Sequence, residues 1–247
     1  MSFTYQTEEP EENEQPAENV AAAQPRPPLP VYTIVLIASF VTVTAVQLFT
    51  GLDRSILLAG FDKRAFLHDH QYWRILTGAA VHGGVLHVAM NGYAFYCFGK
   101  IFEMLSNRAH LAIVFLLSAL GGGILSLVLS PDGISVGASG GIVGLIGYLV
   151  VYAFRRREFI SPAFRKSLLI NIGFILIFGL VLYKVIDNFG HIGGLITGAV
   201  YGLIQIPGDS FTDPREAGSL TETLGIGAVG IYIAVCVFSI LLMFRIV

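Results

Sequence analysis

Long apolar runs separated by short polar segments dominate the chain from residue 31 onward. A helix needs about 20 residues to cross the ~30 Å hydrocarbon core of a membrane, and uncharged runs of roughly that length recur along the chain. They lie at residues 31–52, 75–99, 111–130, 133–154, 167–183, 188–206 and 224–244. The runs lack the alternation of a transmembrane β-barrel, so we predict an all-α, polytopic helical bundle with seven spans.

Composition supports a membrane protein and sets the first 30 residues apart. Hydrophobic residues make up 54% of the chain and charged residues 13%, which is outside the range of ordinary soluble domains. Residues 1–30 instead contain six of the ten prolines and six glutamates. Such a segment buries too little apolar surface to fold, so we predict a disordered, acidic, Pro-rich cytoplasmic tail that stays attached.

The distribution of Lys and Arg predicts the orientation, because cytoplasmic loops retain positive charge. With a cytoplasmic N-terminus, nine basic residues fall on the inner side and six on the outer side. The dense cluster between residues 155 and 166 lies in a short loop and carries the most weight. We therefore predict a cytoplasmic N-terminus and, after seven spans, an external C-terminus.

In that orientation the second, fourth and sixth spans all begin at the external face. The polar residues near their starts are His82, His87, Asn91, Ser139, Asn188 and His191. Imidazoles and amides within a span are costly unless they meet each other or water, so this set predicts a hydrated cavity open to the outside. The alternative is that each group only bridges two helices by a hydrogen bond.

Ser139 is the candidate nucleophile, and His191, 52 residues later, is the candidate general base and acid. The glycines around Ser139 allow a sharp turn into a helix start, where free N–H groups can face a developing negative charge. Two sets of regularly spaced glycines predict close packing of the fourth and sixth helices. They are Gly137, Gly140, Gly144 and Gly147 on the fourth, and Gly190, Gly194, Gly198 and Gly202 on the sixth.

Four further residues bear on the chemistry. His87 and Asn91 are four apart, so they share a helix face and can donate to an oxyanion together with the Ser139 amide. Asp187 could complete a triad, but an exposed carboxylate that caps a helix is the commoner arrangement, so we predict a serine-histidine dyad. On a helix, His82 would lie about 140° around the axis from His87, and we predict no zinc site.

With these motifs the chain resembles the rhomboid family of intramembrane serine proteases over residues 31–206. The matching residues are Tyr72-Trp73-Arg74, His82, His87 to Asn91, Gly99, Glu103, Gly137-Ala138-Ser139-Gly140, Asn188, Gly190-His191, Gly194 and Gly198. The resemblance implies Ser139 as nucleophile, His191 as general base and acid, and His87, Asn91 and the Ser139 backbone around the oxyanion. The implied supporting residues are His82, Gly137, Gly140, Asn188, Gly194, Gly198, Trp73 and Arg74.

The resemblance also implies a six-helix catalytic core at 31–206. After that core, the apolar pattern predicts a cytoplasmic linker at 207–223 and an additional seventh helix at 224–247. It implies that the loop from Gly51 to Arg74 lies partly in the outer leaflet, anchored by Trp73 and Arg74. One departure concerns Val143, where many members carry Tyr or Phe beneath the catalytic histidine.

The expected activity is serine-type endopeptidase cleavage of single-span membrane proteins within the lipid bilayer, with no cofactor, metal or nucleic acid. The expected location is the bacterial cytoplasmic (inner) membrane, with the active site toward the external face. A catalytically silent relative that binds membrane clients is a second reading, but its signature is loss of the serine or histidine. A transporter is a third, but it would place polar groups at the midplane between inverted repeats.

Overall fold

The computed structural model of the protein describes residues 29–209 and 211–247, so the predicted tail lies outside the described residues except for its last two positions. The helices are α1 (Val31–Thr50), α2 (Leu52–Ala59), α3 (Lys63–His68), α4 (Arg74–Thr77), α5 (Val85–Leu105), α6 (Arg108–Leu129), α7 (Ser139–Arg155), α8 (Pro162–Val181), α9 (Asn188–Gln205) and α10 (Ser219–Phe244). Two short strands, β1 (Phe61–Asp62) and β2 (Ile134–Ser135), pair in antiparallel fashion. The predicted all-α class is confirmed.

Seven long helices correspond to the seven apolar runs: α1 and α5 to α10. By length and composition, α1, α6, α8 and α10 can each cross a membrane, and α7 is apolar but 17 residues long. The remaining two, α5 and α9, carry polar or glycine residues singled out in the sequence. The protein is therefore a multi-pass integral membrane protein with a helical bundle fold.

The second predicted span, 75–99, is wrong at its N-terminal end. The helix α4 ends at Thr77, residues 78–84 are not helical, and α5 begins at Val85. Gly84 has a φ of 123°, which glycine adopts without strain and which interrupts a helix. His82 therefore lies in the connection before α5, and the predicted 140° separation does not apply. Its ring instead packs edge-on against that of His87, with centroids 5.2 Å apart.

The boundaries of three other spans also differ from prediction. The fourth, expected from 133, begins at Ser139 because β2 precedes it and Gly137 turns the chain with a φ of 114°. The helix α8 begins five residues earlier than predicted, where the Ser161 hydroxyl accepts a hydrogen bond from the Phe164 amide at 3.2 Å. The helix α10 begins at Ser219, which shortens the linker expected over 207–223.

The segment between α1 and α5 is organised around the side chain of Arg74. Its guanidinium donates to the backbone oxygens of Leu57 and Gly60 at 3.1 and 2.8 Å, and to the Gln71 side chain at 2.5 Å. Arg74 is buried, so its guanidinium holds this segment together through hydrogen bonds inside the protein. Trp73 is 42% exposed, as an interfacial side chain can be.

The helix α7 occupies the centre of the bundle, where Leu145, Ile146, Tyr148 and Leu149 are fully buried. It is surrounded by α5, α6, α8 and α9, with α9 in the most extensive contact. The N-terminal ends of α5, α7 and α9 carry the polar residues identified in the sequence. This arrangement brings those residues toward one end of the bundle.

Candidate active site

Ser139 and His191 lie in direct contact. Ser139 is the first residue of α7, His191 is the fourth of α9, and the Ser139 Oγ lies 2.8 Å from the His191 Nε2. The other ring nitrogen, Nδ1, is buried without a hydrogen-bond partner in the described part of the chain. When Nε2 accepts the serine proton, Nδ1 carries the ring hydrogen. The pair is thus arranged so that a proton can pass from the hydroxyl to the imidazole.

Glycine contacts between α7 and α9 explain how the two side chains come within reach. A Cβ placed on Gly194 would lie 2.0 Å from the backbone oxygen of Gly140. One placed on Gly198 would lie 1.9 Å from the oxygen of Gly144. Both distances are far below van der Waals contact, so only glycine fits. The backbones of the two helices therefore touch, as the spacing of the glycines predicted.

Asp187 caps α9 and does not reach the free nitrogen of His191. Its Oδ1 accepts a hydrogen bond from the Gly190 amide at 2.8 Å. Its Oδ2 accepts from the hydroxyls of Ser126 and Ser135 at 2.5 and 2.6 Å. The carboxylate thus has the capping role that the sequence favoured over a triad. It is partly buried, however, rather than exposed.

Lys63 stands next to this carboxylate, with its Nζ 4.0 Å from the Asp187 Oδ2 and its side chain 4% exposed. Burial lowers the pKa of Lys63, and the charge of Asp187 only partly offsets that effect. Burial raises the pKa of Asp187, but the hydrogen bonds from Ser126, Ser135 and Gly190 bring it below its ordinary value. Those hydrogen bonds, more than Lys63, keep the carboxylate ionised. The cluster joins α3, α6, β2 and α9 beside the candidate dyad.

His87 and Asn91 lie next to the turn that precedes Ser139. A Cβ on Gly137 would be 2.8 Å from the His87 Nε2 and 3.7 Å from the Asn91 Nδ2, so glycine is required there. The Nδ1 of His87 accepts a hydrogen bond from the Gly83 amide at 3.2 Å. In the neutral ring, Nε2 therefore carries the hydrogen. The His87 N–H thus lies beside Gly137, which is two residues before Ser139 in the chain.

His82 is held by polar residues that the sequence reasoning missed. The Gln47 side chain accepts from the His82 amide at 2.8 Å and donates to the His82 backbone oxygen at 3.1 Å. The Thr44 Oγ1 lies 3.3 Å from the His82 Nδ1. Thr44 and Gln47 are three apart in an otherwise apolar first span, so they share a helix face. This spacing of two polar residues in the sequence could have indicated a polar contact on that face of α1.

The supporting residue Asn188 fixes the start of α9. Its side-chain nitrogen donates to the backbone oxygen of Gly179 in α8 at 3.0 Å. Gly140 follows Ser139 in α7, and a Cβ placed on it would contact the Gly190 backbone oxygen in α9 at 3.4 Å. These contacts hold α7, α8 and α9 together around the dyad.

A cavity of about 50 Å³ lies beside Ser139 and His191. It exceeds the ~10–15 Å³ that a single water requires. Its lining also includes Gly78, Ala79 and Asp187, whereas His87 lies outside it. The serine and the imidazole therefore face a space that can hold water.

Comparison with known proteins gives consistent matches. A family model described as the Rhomboid domain matches residues 69–208. RHOMBOID-like protein 6, mitochondrial, of Arabidopsis thaliana is 32% identical over 168 residues, covering 64% of this chain and 52% of that protein. Rhomboid protease GluP of Bacillus subtilis (strain 168) is 32% identical over 144 residues, covering 58% of this chain and 28% of that protein. Rhomboid-like protease 3 of Toxoplasma gondii is 28% identical over 148 residues, covering 59% and 56%.

The chain spans about half the length of two of these relatives and 28% of the third. The relatives come from different kinds of organism, and one is named mitochondrial. They do not support the bacterial inner membrane expected from the sequence.

Proposed function

This chain belongs to the rhomboid family and spans the membrane several times, and on that premise we propose that it is an intramembrane serine endopeptidase. The observation that carries the proposal is the 2.8 Å contact between the Ser139 Oγ and the His191 Nε2. The adjacent cavity adds support, because hydrolysis inside a bilayer needs a protected supply of water.

In the proposed reaction, the Ser139 Oγ attacks the carbonyl carbon of the scissile peptide bond while its proton passes to the His191 Nε2. The tetrahedral intermediate collapses as His191 returns that proton to the leaving amine, which leaves an acyl-enzyme. A water from the cavity then attacks the acyl carbon and gives its proton to His191. As the bond between the acyl carbon and the Ser139 Oγ breaks, His191 returns that proton to the Oγ, and release of the acid product restores the free enzyme.

The oxyanion of the tetrahedral intermediate would be stabilised at the start of α7. The Ser139 amide belongs to the first turn of that helix, where backbone N–H groups have no partner within the helix. The His87 Nε2 and the Asn91 Nδ2 both lie beside Gly137, two residues before Ser139. We assign these three groups to the oxyanion site.

The proposed substrates are single-span membrane proteins, cut in or near their transmembrane segments. The residues 31–206 form the proposed catalytic core, and α10 is an addition to it. With a cytoplasmic N-terminus, the N-terminal ends of α5, α7 and α9 face the outside, so the cavity would open there. Alkylation of a cysteine introduced at Ser161 from outside intact cells would contradict this orientation.

The test uses the purified protein reconstituted in lipid with a fluorogenic single-span reporter. We expect Ser139→Ala and His191→Ala to lower cleavage by at least about a thousandfold, because a nucleophile and its base act as a unit. Ser167→Ala is the matched control, since this exposed serine lies in α8 and should not change the rate.

A fluorophosphonate should label the wild type at Ser139 alone. Cleavage that persists in folded Ser139→Ala would refute the assigned nucleophile. Binding of the reporter without cleavage or labelling in the wild type would instead favour the silent, client-binding reading.

A further inference from the structure

The helix α10 contacts both long helices of the bundle and the short helices that precede α5. It packs against α1 and α6, and it also reaches α2 and α4 in the segment that leads to α5. The ring of Phe238 meets Trp73 edge-on, with centroids 5.9 Å apart. The seventh helix is therefore in contact with the polypeptide that borders the candidate active site.

Tyr232 makes the most specific of these contacts. Its ring is buried and packs edge-on against Phe115, with centroids 5.0 Å apart. Its hydroxyl donates a hydrogen bond to the backbone oxygen of Ala79 at 3.0 Å, across 153 positions in the chain. A buried tyrosine hydroxyl needs such a partner, and a ring fixed by packing holds the donor in one place. Tyr232 therefore restrains the Ala79 peptide.

Ala79 follows Gly78, which contacts the turn at Gly137 that precedes Ser139. The backbone oxygen of its neighbour Gly78 accepts a hydrogen bond from the Gly137 amide at 2.8 Å. Gly137 precedes Ser139 by two residues and packs against the ring of His87. Gly78 and Ala79 both line the cavity beside the dyad. A short path of two hydrogen bonds thus joins α10 to the groups proposed to react.

Gly78 has little room to move independently of this path. A Cβ placed on it would lie 2.6 Å from the Phe61 Cβ and 2.8 Å from the Phe61 amide nitrogen. The Gly78 amide also donates to the Arg74 backbone oxygen at 2.9 Å. The backbone at 78–79 is thus fixed by β1 on one side and by Tyr232 on the other.

We propose that Tyr232 is a positioning residue for catalysis: through Ala79 and Gly78 it fixes the Gly137 turn that presents Ser139 and His87. The inference rests on the proposed function, because the effect is measured as reactivity of the serine. It gives the helix outside the six-helix core a part in the reaction.

The test replaces Tyr232 with Phe, which removes one oxygen and keeps the ring. Tyr201→Phe is the matched control, because it removes a hydroxyl that lies 2.8 Å from the His110 Nδ1, ten residues along α9 from His191. For each variant we would measure kcat and KM with the reporter. We would also measure the rate constant and the final stoichiometry of fluorophosphonate labelling.

We expect Tyr232→Phe to lower both kcat and the labelling rate constant by about tenfold, less than the ~100-fold that follows a 1 Å misplacement. KM and the final stoichiometry should stay at the wild-type values, and Tyr201→Phe should change neither rate. A lower final stoichiometry with an unchanged rate constant would show that Tyr232 only supports folding, which overturns the proposal. Equal rate constants in the two variants would also overturn it.

A second readout separates failure of this inference from failure of the proposed function. Hydrogen–deuterium exchange at the Gly137 amide requires no turnover. We expect faster exchange at this amide in Tyr232→Phe than in Tyr201→Phe, even if the wild type neither cleaves nor is labelled. Equal protection in the two variants would refute the path from α10.

Discussion

A single methyl group between α7 and α9 should separate the proposed dyad. In Gly194→Ala, the new Cβ would lie 2.0 Å from the Gly140 backbone oxygen, whereas real Cβ atoms essentially never approach closer than 3.0 Å. The helices must then move apart by at least about 1 Å (3.0 − 2.0) at this point. Gly140 is adjacent to Ser139, and Gly194 is about one helical turn beyond His191. The separation of α7 and α9 therefore occurs next to both Ser139 and His191.

The magnitude follows from this geometry. Adding about 1 Å to the 2.8 Å between Oγ and Nε2 gives a separation at which no side-chain hydrogen bond forms. Misplacement by 1 Å costs about 100-fold in rate, so we expect kcat to fall by about that factor. Overpacking of a close helix contact should also lower the unfolding free energy by about 1–3 kcal/mol.

The assay compares Gly194→Ala with Gly230→Ala, which adds the same methyl group to α10. Among the described residues, that methyl group would meet no atom within 4 Å apart from the adjacent backbone of its own helix. Reporter cleavage gives kcat per active site, and thermal unfolding in detergent gives relative stability. Gly230→Ala should keep wild-type kcat and equal or higher stability, because alanine favours a helix over glycine. A kcat for Gly194→Ala within about threefold of wild type, at unchanged stability, would contradict this prediction. The distance between α7 and α9 would then not determine the distance between the Ser139 Oγ and the His191 Nε2.

Three further predictions concern other contacts of the site. His87→Ala and Asn91→Ala should each lower kcat about 10- to 1,000-fold in steady-state assays, and unchanged rates would make these residues structural. The pKa of Asp187 lies below its ordinary value of 3.8, so its stabilisation is present above that value and is lost as pH falls through the folded-state pKa. Thermal unfolding across pH would give the stability difference between wild type and Asp187→Asn. This difference should be largest near neutrality and should shrink below about pH 4. A difference that grows in acid would contradict this. The Glu103 carboxylate accepts from the amide and the hydroxyl of Thr33, both at 2.7 Å, so Glu103→Ala should cost about 1.5–3 kcal/mol in unfolding free energy. Its kcat per labelled site should stay unchanged, and a fall in kcat at unchanged stability would argue against a purely structural contact.

The bundle was predictable because its signals are local. Apolar runs of the required length gave the seven long helices, and the glycine spacing gave the close approach of α7 and α9. The N-terminal ends of the second and fourth long apolar helices, α5 and α7, were not predictable in this way. Gly84 and Gly137 adopt positive φ, and β2 forms only because β1, more than 70 residues earlier, is available to pair.

The candidate site was likewise predictable where residue type limits chemistry and less so where contacts are long-range. Ser139, His191 and His87 stand out as polar groups in apolar surroundings. Gln47 and Tyr232 also lie in apolar spans, but nothing local says which backbone each will reach. Tyrosine in a span is as easily explained by the membrane interface, so its contact with Ala79 needed the tertiary structure.

The buried, unpartnered Nδ1 of His191 bears on the pace of the proposed enzyme. Each cycle passes through an imidazolium, and in the described part of the chain no carboxylate touches the nitrogen that would carry its second hydrogen. A cation formed in such surroundings is poorly stabilised, so the barrier is higher than in a triad. If the chemical step is slow, most bound membrane proteins dissociate before they are cleaved. Selection among membrane proteins would then depend on how long a substrate segment stays in place beside Ser139, and not only on how often it arrives there.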